Sequence, residues 1–155
     1  SVTFSHDSSL IASGSTDKTI RLWRSNTGEC IKELEGHDNI VYSVAFSHDS
    51  SLIASGSADR LVRVWDFTTG ACVQTLQGHN DSVNSVTFSH DSSLIASGSD
   101  DKIIRLWDFT TGTCVQTVQG HHDWVNSVTF SHDSLLIASG SNDGIIRLWS
   151  ADNTT

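Results

Sequence analysis

The sequence predicts an all-β protein assembled from four copies of one small sheet. Three observations predict it. The string Ser-His-Asp-Ser begins at Ser5, Ser47, Ser89 and Ser131, so the chain repeats every 42 residues, and a period of that length marks a repeat architecture. Between turns the residues alternate apolar with small or polar, as half-buried strands do. No stretch sustains a helical period, and no interval between turns has room for a helix of about ten residues.

The units are residues 1–42, 43–84, 85–126 and 127–155. Residues 43–84 and 85–126 differ at only ten positions, so one reading serves every copy. In the second unit, Ser43-Val-Ala-Phe-Ser47 predicts a first strand, and the Ser- and Asp-rich turn after it bonds its own backbone. Leu52-Ile-Ala-Ser-Gly-Ser57 predicts a second strand, Ala58-Asp-Arg60 a tight turn, and Leu61-Val-Arg-Val-Trp65 a β-branched third strand. Thr68-Thr69-Gly70 predicts the next turn and residues 72–77 a fourth strand. The last unit ends soon after Trp149 and is expected to lack its fourth strand, leaving residues 145–149 as an open edge.

Composition narrows the function. A chain of 155 residues is enough for one domain. Nine Lys and Arg against 18 Asp and Glu give a net charge of -9, which repels a phosphate backbone and argues against nucleic acid. No apolar run is long enough to cross a membrane as a helix, and no charged leader precedes an apolar segment. Cys30, Cys72 and Cys114 recur at one phase of the repeat, a pattern of separate free thiols, buried or half-buried, in a reducing cytoplasmic setting. The absence of Met, position 1 included, and the start in mid-pattern read as a processed, excised or designed chain.

Ser5-His6-Asp7 contains the residue types of a hydrolase triad, yet the same string occurs four times. A triad converges from separate parts of a fold, whereas chain neighbours mostly point apart. These residues read as a solvent-facing turn. His121-His122-Asp123 offers too few free ligands for a metal, so no metal or cofactor is expected. No phosphate-binding glycine loop occurs; the glycosylation patterns at Asn80 and Asn153 inform only if the chain is secreted.

The pairs Gly36-His37, Gly78-His79 and Gly120-His121, each followed by an Asp, a β-branched run and Trp, with Trp65-Asp66 and Trp107-Asp108, resemble the WD-repeat (WD40) family of β-propellers. Arg24 and Ser150 stand where the terminal Asp is usual, and His-Asp-Ser replaces the family's Pro-Asp-Gly turn. The resemblance implies four-stranded antiparallel blades, about four per chain. It further implies buried quartets of His37, Ser55, Asp59 and Trp65; His79, Ser97, Asp101 and Trp107; and His121, Ser139, Asp143 and Trp149. The first unit has Ser13, Asp17 and Trp23 but no preceding Gly-His pair.

Rings of this family usually hold more than four blades, so two chains are expected to complete an eight-bladed ring, the alternative being a segment of a longer propeller. The near-identical copies also resemble the repeats of fungal NACHT-type receptors. Where the copies differ, the resemblance places the positions on the top rim. Tyr42 and Trp124 are the expected apolar anchors, with Asp100, Asp123 and Asn126 as the polar edge; neutral drift at exposed sites, with Trp124 packing on a neighbour, is the plainer reading. The expected function is a non-catalytic scaffold for a protein or peptide partner, with carbohydrate or small-ligand recognition as the alternative.

Overall fold

The computed structural model describes residues 1–151. They form four antiparallel sheets, each a simple meander. The first contains β1 (Val2–Phe4), β2 (Leu10–Gly14), β3 (Ile20–Arg24) and β4 (Cys30–Leu34). The second contains β5 (Val41–Phe46), β6 (Leu52–Ser57), β7 (Val62–Asp66) and β8 (Cys72–Leu76). The third contains β9 (Val83–Phe88), β10 (Leu94–Ser99), β11 (Ile104–Asp108) and β12 (Thr113–Val118). The fourth contains β13 (Val125–Phe130), β14 (Leu136–Ser141) and β15 (Ile146–Ser150), and β15 pairs only with β14 among the described residues. No helix occurs among them, and the all-β expectation holds.

The core lies between blades, not within them. Ala12, Ile20, Leu22 and Leu34 of the first blade pack against Val41, Val44, Ile53 and Trp65 of the second. The same positions repeat between the second and third blades and between the third and fourth. Alternation makes this possible: Ile53 faces backward, Ala54 forward, and both are fully buried. Polar stitches run along each seam. Val44, Val86 and Val128 donate their N–H groups to Ser1, Ser43 and Ser85 Oγ of the preceding blade, at 3.3, 3.0 and 3.1 Å.

The first turn shows why Ser follows Asp. Asp49 Oδ1 accepts the Ser51 amide and the Ser47 hydroxyl, which closes the turn on itself. Ser50 then takes a left-handed conformation with φ of 61°, where glycine would be unstrained. Serine is useful there because Ser50 Oγ accepts the backbone N–H of His6 in the preceding blade at 3.1 Å, and Ser92 and Ser134 do the same for His48 and His90. Ser92→Ala keeps the strain and loses the bond, so its unfolding free energy drops by about 1 kcal/mol. Ser92→Gly loses the bond but relieves roughly 1 kcal/mol of strain and melts close to the parent. Equal melting of the two variants would refute this account.

Two local expectations need correction. The first strand begins earlier, at Val41 in place of Ser43. The cysteines are exposed, not buried or half-buried. They lie on β4, β8 and β12, outermost in their sheets, just past a bulge in the pairing with the third strand. No neighbouring strand covers them there.

Candidate functional site

The inner polar groups are arranged in three equivalent quartets. In the second blade the Trp65 indole N–H donates to Ser55 Oγ at 2.8 Å, Ser55 Oγ meets His37 Nε2 at 2.7 Å, and His37 Nδ1 meets Asp59 Oδ2 at 2.7 Å. His79, Ser97, Asp101 and Trp107 repeat this in the third blade, and His121, Ser139, Asp143 and Trp149 in the fourth. The hydroxyl that accepts from the indole donates to the imidazole, and the imidazole donates to the carboxylate. Burial pushes the His37 pKa down, and the hydrogen bond and charge of Asp59 oppose this without reversing it. Burial also pushes the Asp59 carboxyl up. The His37 hydrogen bond and the amides of Leu61 and Asp38 outweigh it, so Asp59 stays below the usual carboxylate range.

Gly36 precedes this histidine because a Cβ there would lie 3.1 Å from Cη2 of Trp65, with the backbone at φ of 148°. In the first blade Trp23 still donates to Ser13 Oγ, at 2.9 Å, while Asp17 bonds Thr19 and pairs with Arg21 at 3.1 Å.

Ser55, His37 and Asp59 thus have the connectivity of a nucleophile, a base and an orienting acid. The chemistry cannot follow. Ser55 is 0% exposed, and its oxygen is occupied by the Trp65 indole. A nucleophile needs a route for substrate and donors for the developing oxyanion, and a sealed hydroxyl has neither. Removing one partner leaves a buried polar group unpaired, at a cost of roughly 1–3 kcal/mol, so the quartets stabilise the blades.

Some of the positions that differ between copies, Tyr42 against Asn84 and Asn126, Ala58 against Asp100, and Ser82 against Trp124, lie together at one end of the strands. Tyr42, Asn84 and Asn126 are each skipped in the pairing of first and second strands, so each is the extra residue of a β-bulge. A bulge turns its side chain out of the regular alternation. Sequence reasoning missed these bulges, and their only signal is the break in alternation at Val-Tyr-Ser and Val-Asn-Ser. Asn84 Nδ2 donates to Asp100 at 2.6 Å and to the Val125 carbonyl at 3.2 Å, bridging the third and fourth blades. Asn126 Nδ2 donates to Asn142 at 2.5 Å.

Asp123 accepts the Trp124 amide at 2.8 Å, and the Trp124 carbonyl accepts the Asn142 amide. Asp123, Trp124, Asn126 and Asn142 therefore form one cluster, with Asp100 and Asn84 beside it. Tyr42 lies two blades away and shares no hydrogen bond with them among the described residues. Trp124 is 49% exposed, Tyr42 is 43% exposed, and neither belongs to a core cluster. No group of three or more His, Cys, Asp or Glu side chains is arranged to hold a metal ion among the described residues. Among the described residues no helix is long and apolar enough to cross a membrane.

A family model described as WD domain, G-beta repeat matches residues 1–24, 28–66, 70–108 and 112–150. Among curated proteins, the chain is similar to nuclear distribution protein PAC1 of Mycosarcoma maydis, 59% identical over 32 residues. It is also similar to WD repeat-containing protein pop2 of Schizosaccharomyces pombe, 51% identical over 35 residues. These matches take in 21% and 23% of this chain, and only 7% and 5% of the two relatives' lengths.

Proposed function

Since the chain belongs to the WD-repeat family, with all four units matched, we propose that it is a non-catalytic scaffold whose propeller rim receives a protein or peptide. Proteins built from these repeats serve as interaction scaffolds in general. One observation carries the finer reading: the buried Ser, His and Asp side chains of three blades are spent on identical internal bonds, while Tyr42 and Trp124 stand exposed where the copies differ. Large aromatics at a rim are typical anchors for binding energy. Asp100, Asp123 and Asn126 supply the polar edge around them, and the net charge of -9 speaks against a nucleic-acid partner. Exposed free thiols at three equivalent positions support a cytoplasmic setting.

The test is selection from a random peptide display library, run beside a glycan array. Selected peptides are expected to lose about tenfold or more in affinity on Trp124→Ala, with melting unchanged. A drop in melting instead makes Trp124 a packing residue. Binders confined to the glycan array favour the second reading, in which Trp124 is a stacking surface for carbohydrate.

We further propose that a second copy completes the ring, head to tail, giving eight blades. Val2 is 70% exposed, although its counterparts Val44, Val86 and Val128 are each 5% exposed. At the other end Ile146 and Leu148 are 79% and 68% exposed, where Ile104 and Leu106 are buried. The two bare faces are the halves of the internal seam. A Cβ on Gly56 or Gly98 would strike the valines of the next blade at 2.8 and 2.7 Å, whereas a Cβ on Gly140 meets nothing within 4 Å. Val86 and Val128, the counterparts of Val2, come within 3.0 and 2.9 Å of those Cβ positions, so the open space at Gly140 fits Val2 of another chain, and Ser127 Oγ stands ready for its amide as Ser85 does for Val128.

A further inference from the structure

Each blade carries a histidine in its first turn, and the four stand in one row. Ring centroids are 3.9 Å apart for His6 and His48, 4.0 Å for His48 and His90, and 4.2 Å for His90 and His132. Successive rings are inclined by 67°, 52° and 56°. The row borders a cavity of about 230 Å³ backed by Phe46, Phe88 and Phe130. Its spacing is held by the backbone, since the N–H groups of His6, His48 and His90 are tied to serines of the next blade.

These imidazoles differ from the buried ones in a way that matters for ligands. Both ring nitrogens of His37, His79 and His121 are engaged. The ring nitrogens of His6, His48, His90 and His132 make no hydrogen bond among the described residues, and all four side chains are exposed. Eight ring nitrogens on a rigid framework are therefore open to a ligand.

Charge selects the ligand. The chain carries a net charge of -9, and Asp7, Asp49, Asp91 and Asp133 each adjoin a histidine of the row. An anion is disfavoured there. A hard cation such as calcium needs several free oxygens, but these carboxylates already accept from serine hydroxyls and amides of their own turns. The donors that remain are imidazole nitrogens, which suit nickel, copper and zinc.

We propose that the row of His6, His48, His90 and His132 binds divalent transition-metal ions of the nickel and copper type, each held between two neighbouring imidazoles. Because no three ligand groups converge among the described residues, water completes each coordination shell. Two imidazoles in adjacent positions on one ion, with nitrogens about 2.0–2.1 Å from it, set their ring centroids within about 1 Å of the observed spacing. Small rotations of exposed side chains supply the difference. Four rings in a row accommodate two ions, one on His6 and His48, the other on His90 and His132. This site uses pairs within one chain and stands whether or not a second copy closes the ring.

The test is a calorimetric titration of the full chain with nickel chloride near neutral pH, the exposed thiols first blocked by alkylation. Up to two ions per chain are expected. The double variant His48→Ala with His90→Ala leaves no two neighbouring imidazoles and should weaken nickel binding by about tenfold or more. Its melting without metal should match the parent, because the substituted side chains hold no hydrogen bond. His122→Ala, an exposed histidine outside the row, should bind as the parent does. Undiminished nickel binding by the double variant, or no binding by the parent at about 100 μM metal, overturns the proposal.

Discussion

Trp107→Ala is expected to lower the unfolding free energy by about 3–5 kcal/mol, as removal of a buried tryptophan from a close-packed site does. Trp107 is 1% exposed and contributes to the seam between the second and third blades. Its loss opens a cavity there and also strips Ser97 of the donor that fixes its hydroxyl. Domains of this kind are stable by only about 5–15 kcal/mol, so a large share of the total is at stake. Trp149→Ala, at the equivalent position of the fourth blade, should cost clearly less because Trp149 is only half-buried. Chemical denaturation of both variants measures the difference. Equal losses would mean that burial between blades is not the main source of stability.

Gly140 gives the second large effect, this time on assembly. Gly140→Val is expected to leave the fold of a single chain unchanged, since its Cβ meets nothing within 4 Å. It fills the socket proposed for Val2 of a second copy. Light scattering of the parent should report twice the 16.8 kDa of one chain, and the variant should report a single chain. The same glycine one unit earlier behaves differently: Gly98→Ala drives its Cβ to 2.7 Å from Val125 and 2.9 Å from Val128, and overpacking of this kind costs about 1–3 kcal/mol. A parent with the mass of one chain, or a Gly140→Val variant that still pairs, refutes head-to-tail closure.

The sheets were legible because each strand is bounded by turn chemistry that acts over a few residues: Asp49 on its own turn, and Asp59 on the amide of Leu61. The 42-residue period then made one copy stand for all. Part of what could not be read depends on neighbours 35 to 44 residues away. The stitch from His6 to Ser50 spans 44 residues, and the bond from Lys32 to the Phe67 carbonyl spans 35. The cysteines were misread for another reason: apolar thiols argue for burial, while their place on an outer strand of their own sheet exposes them. Tyr42 and Asn126 occupy bulges whose one sequence signal, a break in alternation, becomes decisive only with the cross-strand register. The row of imidazoles needed four turns to be laid side by side, which no single unit predicts.

Because every seam joins the forward face of one unit to the backward face of the next, the two faces of any unit are interchangeable with those of its copies. A duplicated stretch of 42 residues inserted at a unit boundary brings both halves it needs and replaces one seam by two equivalent ones. Stability in such an array grows by nearest-neighbour increments. Lengthening the chain is therefore selectively cheap for the framework, and each added unit offers a fresh bulge on which a new specificity can arise.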